Sequence, residues 1–244
     1  MKYLFSFVLI LLIQVSFVSC LAQARPGQVK LVGQMKDVMW KGELKGKILL
    51  DTIANKQHLY GIGPVEYLSG EILIIDGKSY TSTVISKTAM RVEETFNLKA
   101  PFFGYAQIPA WQEIVLPPSI QTIQELEVYL DQRTKQAPRP FLFKLSGIAE
   151  EASIHIVNLP KGATVRSPQD AHQGNVNYVI SNQSVDIIGF FSTEHKAIFT
   201  HHDTFLHLHL ITSDRQKMGH LDQVRLKSGS AKLYLPIENT NTEY

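Results

Sequence analysis

The chain has 244 residues, 44% of them hydrophobic and 19% charged, with a formal net charge of +2. Those values exclude a disordered or low-complexity protein. No run of more than two basic residues occurs, so the charged footprint of a nucleic-acid binder is missing. The length suits one large domain or two closely packed lobes.

Met1-Lys2 is followed by an almost continuous apolar stretch over residues 3–13, then by small and polar residues up to Ala24. That layout matches a secretory signal over residues 1–24 and predicts an exported protein, periplasmic, secreted or lipid-anchored. Polar residues at 14, 16, 19 and 23 break the apolar run, whereas a spanning helix needs about 20 predominantly apolar residues. Cys20 is the only cysteine and ends Val18-Ser19-Cys20, which resembles a lipobox; a lipid there would attach the chain to a membrane. Ala22-Gln23-Ala24 offers ordinary cleavage instead. Neither route leaves an internal disulfide to staple the fold.

Residues 28–80 alternate short β-like runs with turn residues, and Gly61-Ile62-Gly63-Pro64 reads as a turn or loop among them. Residues 71–75 form a strand too apolar to have a solvated face. Asp76-Gly77 suits a type I′ turn, with the returning strand at 78–84. After Pro117-Pro118, Thr122 and Glu125 have capping-box spacing, and Ile123, Leu126 and Leu130 make an apolar stripe, so a helix is predicted that ends near residues 133–136. Pro138 and Pro140 prevent its continuation. Residues 136–140 are the candidate boundary between an N-terminal lobe of about 25–138 and a C-terminal lobe of about 139–244. Strands are predicted at 141–147, 153–159, 176–181, 185–191, 204–212 and 232–235. The expected fold class is α+β, β-rich, with two packed lobes.

Six of the nine histidines (195, 201, 202, 207, 209 and 220) fall within 26 residues. Residues 205–210 have the period of a strand, so His207 and His209 project from one face while Leu206, Leu208 and Leu210 pack behind. A turn centred on Asp214-Arg215 would set His220 directly opposite His209. Three imidazoles then converge and leave a fourth position open, the usual arrangement of catalytic zinc. With no thiolate ligand to offer, the site suits Zn²⁺ better than a soft metal such as Cu(I). His201 and His202 precede the strand and read as surface residues, and His58, His172 and His195 have no partner that the sequence reveals.

These stretches resemble the α-acetolactate decarboxylase family. The resemblance rests on Gly189-Phe190-Phe191, on 206–215 with its His-x-His strand and Asp-Arg turn, and on Gly219-His220-Leu221-Asp222. Leu68-Ser69-Gly70-Glu71 with Asp76-Gly77-Lys78 and Tyr80 adds to it, as do Pro101-Phe102 and Phe143-Lys144-Leu145-Ser146-Gly147, in unbroken order over about residues 28–236. It implies a two-lobed, β-rich fold with zinc on the histidine hairpin of the C-terminal lobe and Glu71 reaching in from the N-terminal lobe as proton donor. It also implies conversion of 2-acetolactate, a small 2-hydroxy-3-oxo acid, to acetoin and carbon dioxide. Where the family sets an arginine this chain has His155, a weaker carboxylate partner because imidazole lacks the guanidinium fork; Arg166 is an alternative source of that charge. The family's C-terminal glutamate has only Glu238 or Glu243 as counterparts. A non-catalytic or altered-substrate zinc-binding homologue at the cell surface is the second reading.

Overall fold

The computed structural model describes residues 27–200 and 204–237. The expected signal segment with Cys20, and His201, His202, Glu238 and Glu243, lie outside the described residues. The N-terminal part contains β1 (Lys30–Val32), helix α1 (Met35–Lys41), β2 (Ile48–Leu49), β3 (Leu59–Pro64), β4 (Glu71–Ile75), β5 (Lys78–Val84), β6 (Met90–Glu94), β7 (Lys99–Ala100), β8 (Phe103–Gln107) and β9 (Trp111–Val115). Helix α2 (Ile123–Arg133), β10 (Phe141–Ile156), the short α3 (Pro168–Ala171), β11 (Val176–Phe191), β12 (Leu206–Thr212), β13 (Met218–Leu226) and β14 (Lys232–Pro236) follow.

The fold is α+β and strand-rich, as expected. One sheet has the order β1-β8-β3-β4-β5-β6 and the other β11-β12-β13-β10-β14-β9; β2 and β7 form a separate pair. In the second sheet β10 pairs with both β11 and β13, β11 with β12, and β12 with β13, so these four strands close into a ring. Closure removes the open edge that a flat sheet would leave. Leu206, Leu208, Leu210 and Leu221 point into the core of this ring, which α2 covers with Ile123, Leu126 and Leu130. A second core, with Tyr60, Ile62 and Leu73 from one sheet, Phe102 just before β8, and Ile188, Phe190, Ile211 and Met218 from the other sheet, joins the two sheets.

Several local expectations hold to the residue. Asp76 and Gly77 both have positive φ, as a type I′ turn requires, between β4 and β5. Thr122 accepts the Glu125 N–H while Glu125 Oε2 accepts the Thr122 N–H, a complete capping box.

Other expectations are corrected. Residues 61–64 are strand, not turn. Added Cβ atoms on Gly61 and Gly63 would approach Phe103 ring carbons to 2.8 and 2.9 Å, so the glycines are there for close packing of β8. Within the stretch read as β-like, residues 35–41 are helical. The paired predictions 141–147 with 153–159, and 176–181 with 185–191, are one long strand each, β10 and β11, because the polar breaks face each other in a continuous ladder, Gly147 opposite Val185 and Ala149 opposite Gln183. Strand β9 lies before the expected lobe boundary in sequence, yet pairs with β14 of the second sheet.

Candidate metal centre and pocket

Strand β12 is buried along its whole length, and its alternation sends the leucines to the ring core and His207 and His209 to the other face. The register sets His209 opposite His220, with the turn centred on Asp214 and Arg215, where Arg215 takes a positive φ. The turn is closed by Thr212, whose N–H donates to Lys217 O at 2.9 Å. Helix α2 holds the strand's entry, since Glu127 Oε2 accepts the Phe205 N–H at 2.7 Å.

The imidazole centroids of His207, His209 and His220 are 5.2, 5.3 and 5.4 Å apart, a nearly equilateral triangle. One nitrogen from each lies within 4.8 Å of the others, so the three together can hold a metal ion. The donor set fits that role. His209 is fully buried, and its Nε2 makes no hydrogen bond among the described residues, an arrangement that costs free energy unless another partner is supplied. Burial, then the neighbouring His207 and His155, hold its pKa well below the usual imidazole value, leaving the neutral ring that a metal requires.

Glu71 reaches the same place from the first sheet. It opens β4 after a turn in which Tyr67 and Leu68 both have positive φ, a conformation rare for such side chains. The residue is only 2% exposed, with Oε1 accepting the Val157 N–H at 3.1 Å and Oε2 standing 3.6 Å from His209 Nε2. Burial pushes its pKa up to about 8, against the lowering effects of His155 and the Val157 N–H. The Leu159 N–H to Leu68 O bond, 2.9 Å, ties the chain after β10 to the same turn.

His155 is directly opposite His220 in the ladder, and its ring is 4.7 Å from that of His220. Its Nδ1 lies 2.7 Å from Asp222 Oδ1. Burial alone would lower its pKa, but the hydrogen bond and charge of Asp222, with Glu71 behind them, raise it. Asp222 owes its aim to a β-bulge: Ser153 pairs with Gln223 and Ile154 with Leu221, so Asp222 has no partner of its own in β10. The sequence carries no sign of this, because the bulge exists only in the register of two strands about 65 residues apart. His172, next to α3, also joins the group, 5.9 Å from His155.

Most of these residues line one pocket; His209 and Asp222 stand behind its wall. Glu71, His155, His172, His207 and His220 supply its polar part, and Met35, Met39, Trp40, Leu68 and Phe102 much of its apolar part. Among the described residues, no lysine or arginine lines it. Arg166 is exposed, its backbone N–H bonded to Asp170, and it does not line the pocket. Two other histidines have structural partners: His58 bonds Asp76, and His195 bonds Ser192 while its carbonyl caps the turn at 198–200.

Comparison with known proteins places the fold. The fold is similar to a Staphylococcus aureus protein described as of unknown function and similar to alpha-acetolactate decarboxylase, with a TM-score of 0.72, 16% identity and 86% of each chain covered. It is similar to the acetolactate decarboxylase of Bacillus subtilis subspecies spizizenii, with a TM-score of 0.69 and 19% identity over 86% of this chain and 85% of that one. The alpha-acetolactate decarboxylase of Bacillus subtilis strain 168 aligns with a TM-score of 0.66 and 17% identity over 86% of each chain. No curated protein matches the sequence significantly. The family model for alpha-acetolactate decarboxylase matches residues 32–242, spanning both sheets, Glu71 and all three clustered histidines, and the chain belongs to that family.

Proposed function

We propose that the protein is an exported, zinc-dependent decarboxylase that converts 2-acetolactate to acetoin and carbon dioxide. The observation that carries this reading is a buried carboxyl, Glu71, set against three clustered imidazoles, with Glu71, His207 and His220 lining one pocket and His209 buried behind it, 3.6 Å from Glu71. His207, His209 and His220 would hold the zinc, since an all-nitrogen, neutral donor set suits that ion. Bound there, zinc would supply Lewis-acid stabilisation of the negative charge that decarboxylation leaves on the substrate's carbonyl oxygen.

The chain's own groups do the rest. The Val157 N–H fixes Glu71 Oε1, so Oε2 is the oxygen turned toward His209. It would deliver a proton to the carbon that has lost carbon dioxide. His155, oriented by Asp222, would bind the substrate carboxylate through its remaining ring nitrogen, at a pocket to which the described residues bring no guanidinium or ammonium. The methionine and phenylalanine side chains exclude water. Residues 1–24 would carry the enzyme out of the cell, and a lipid on Cys20 would keep it at a membrane.

The test is to measure zinc content and acetoin formation from racemic acetolactate on the purified protein. About one zinc per chain with acetoin released is expected. Zinc without acetoin would leave a non-catalytic or altered-substrate homologue, and neither zinc nor acetoin would overturn the reading.

A further inference from the structure

Helix α1 has only seven residues, yet it is fixed at both ends. At its start the Met35 N–H donates to Ile198 O at 2.8 Å, in the turn that follows His195. At its end Gly42 takes a left-handed φ of 66° and lies so close to the Val165 carbonyl that a Cβ there would approach the oxygen to 2.7 Å. Between these points Met35, Val38 and Met39 are buried, on one face by helical spacing. Their surroundings differ. Met35 and Met39 line the pocket that holds Glu71, His207 and His220, whereas the fully buried Val38 packs only into the core between the sheets.

A short helix pinned in this way gives a fixed backbone carrying two flexible side chains at i and i+4. Methionine has three rotatable bonds and a polarisable sulfur, so a methionine pair adapts to alkyl groups of different size. The other apolar lining residues, such as Pro64, Leu68 and Phe102, are stiffer. On the proposed function the polar groups of the pocket would take the carboxylate, hydroxyl and oxo oxygens of a 2-hydroxy-3-oxo acid, which leaves its alkyl substituents to the apolar part.

We infer that Met35 and Met39 are the specificity-determining residues of this pocket, forming an adjustable wall against the alkyl substituent on the carbon that bears the hydroxyl and carboxylate. The inference rests on the proposed decarboxylase reading and assigns to Met35 and Met39 the choice between alkyl groups at that carbon. Shortening either methionine shifts preference toward the larger alkyl group. One methylene in an apolar pocket discriminates by about 10- to 200-fold, so a shift of about tenfold in the ethyl-to-methyl ratio is expected.

The experiment uses the full-length, zinc-loaded protein with Met35→Ala, Met39→Ala, Met39→Leu and Val38→Ala. The kcat/KM ratio for 2-ethyl-2-hydroxy-3-oxobutanoate against acetolactate is measured alongside calorimetric affinities for two unreactive probes, 2-hydroxy-2-methylbutanoate and 2-hydroxy-2-methylpropanoate. Both alanine variants at 35 and 39 should favour the larger member of each pair, Met39→Leu should stay near wild type, and Val38→Ala should lose stability without changing either ratio. Unchanged ratios in folded Met→Ala variants, an equal shift in Val38→Ala, or no binding of either probe to wild type would overturn the wall. If the probes bind with the expected shift but acetolactate is not turned over, the wall stands and the decarboxylase reading falls.

Discussion

The histidine hairpin and the α1 wall border the same pocket but are built on opposite principles. Strands β12 and β13 belong to a closed ring of hydrogen-bonded strands, and every residue of β12 is buried. Slipping that strand by one residue would turn both histidines into the leucine core, so its register is strongly specified. Helix α1 has no ladder; it is held by a backbone bond at one end and a close packing contact at the other. The difference teaches that the three imidazoles are held by a hydrogen-bonded register, whereas the methionines of α1 are held only by packing and by the two ends of their helix.

The sharpest test of this contrast is on the hairpin. His209→Ala should weaken zinc binding by more than about 100-fold, beyond the range seen for outer-shell partners. Competition with a chromophoric chelator measures it, and zinc bound as in wild type would remove the hairpin from the metal site. Next in size is Glu71→Gln, which keeps the shape but cannot deliver a proton. Turnover should fall about 10²–10⁴-fold, while elemental analysis finds the metal unchanged. If turnover persists, the proton comes from elsewhere. Asp222→Ala should act more mildly, releasing His155 and raising KM about tenfold, the equivalent of one charge-assisted hydrogen bond. Steady-state kinetics with normal zinc content would show that it acts through His155; a fall in zinc content instead would assign Asp222 to the metal site. The smallest effect belongs to Thr122→Ala at the cap of α2. It should cost about 1 kcal/mol of stability in urea unfolding and leave zinc affinity intact, because the capping box lies on the far side of the ring core from the histidines.

What could be read in advance follows the same division. The histidine hairpin was legible because period-two alternation and turn symmetry together fix which side chains meet, and the register of His209 with His220 followed from them. The Asp76-Gly77 turn and the Thr122 cap were legible because each depends on residues only a few positions apart. Strand β3 was hidden because its glycines answer to Phe103, a residue about 40 positions away. Helix α1 was hidden too: at seven residues its pattern competes with that of short strands, and packing against the pocket and the 195–200 turn decides the outcome. Asp222 and His172 escaped for a related reason, since one depends on a bulge between β10 and β13 and the other on the chain returning beside His155.

The hairpin also has a consequence for the order of assembly. Its three histidines lie within 14 residues, whereas Glu71 is more than 130 residues upstream. Closing a short loop costs little chain entropy, while joining the two sheets requires contacts of high sequence separation. The three imidazoles can therefore gather while the hairpin is still forming, before the carboxyl arrives. On the proposed function, zinc capture and catalytic competence would then be separate events in time, and a chain caught between them would hold its ion but lack its acid.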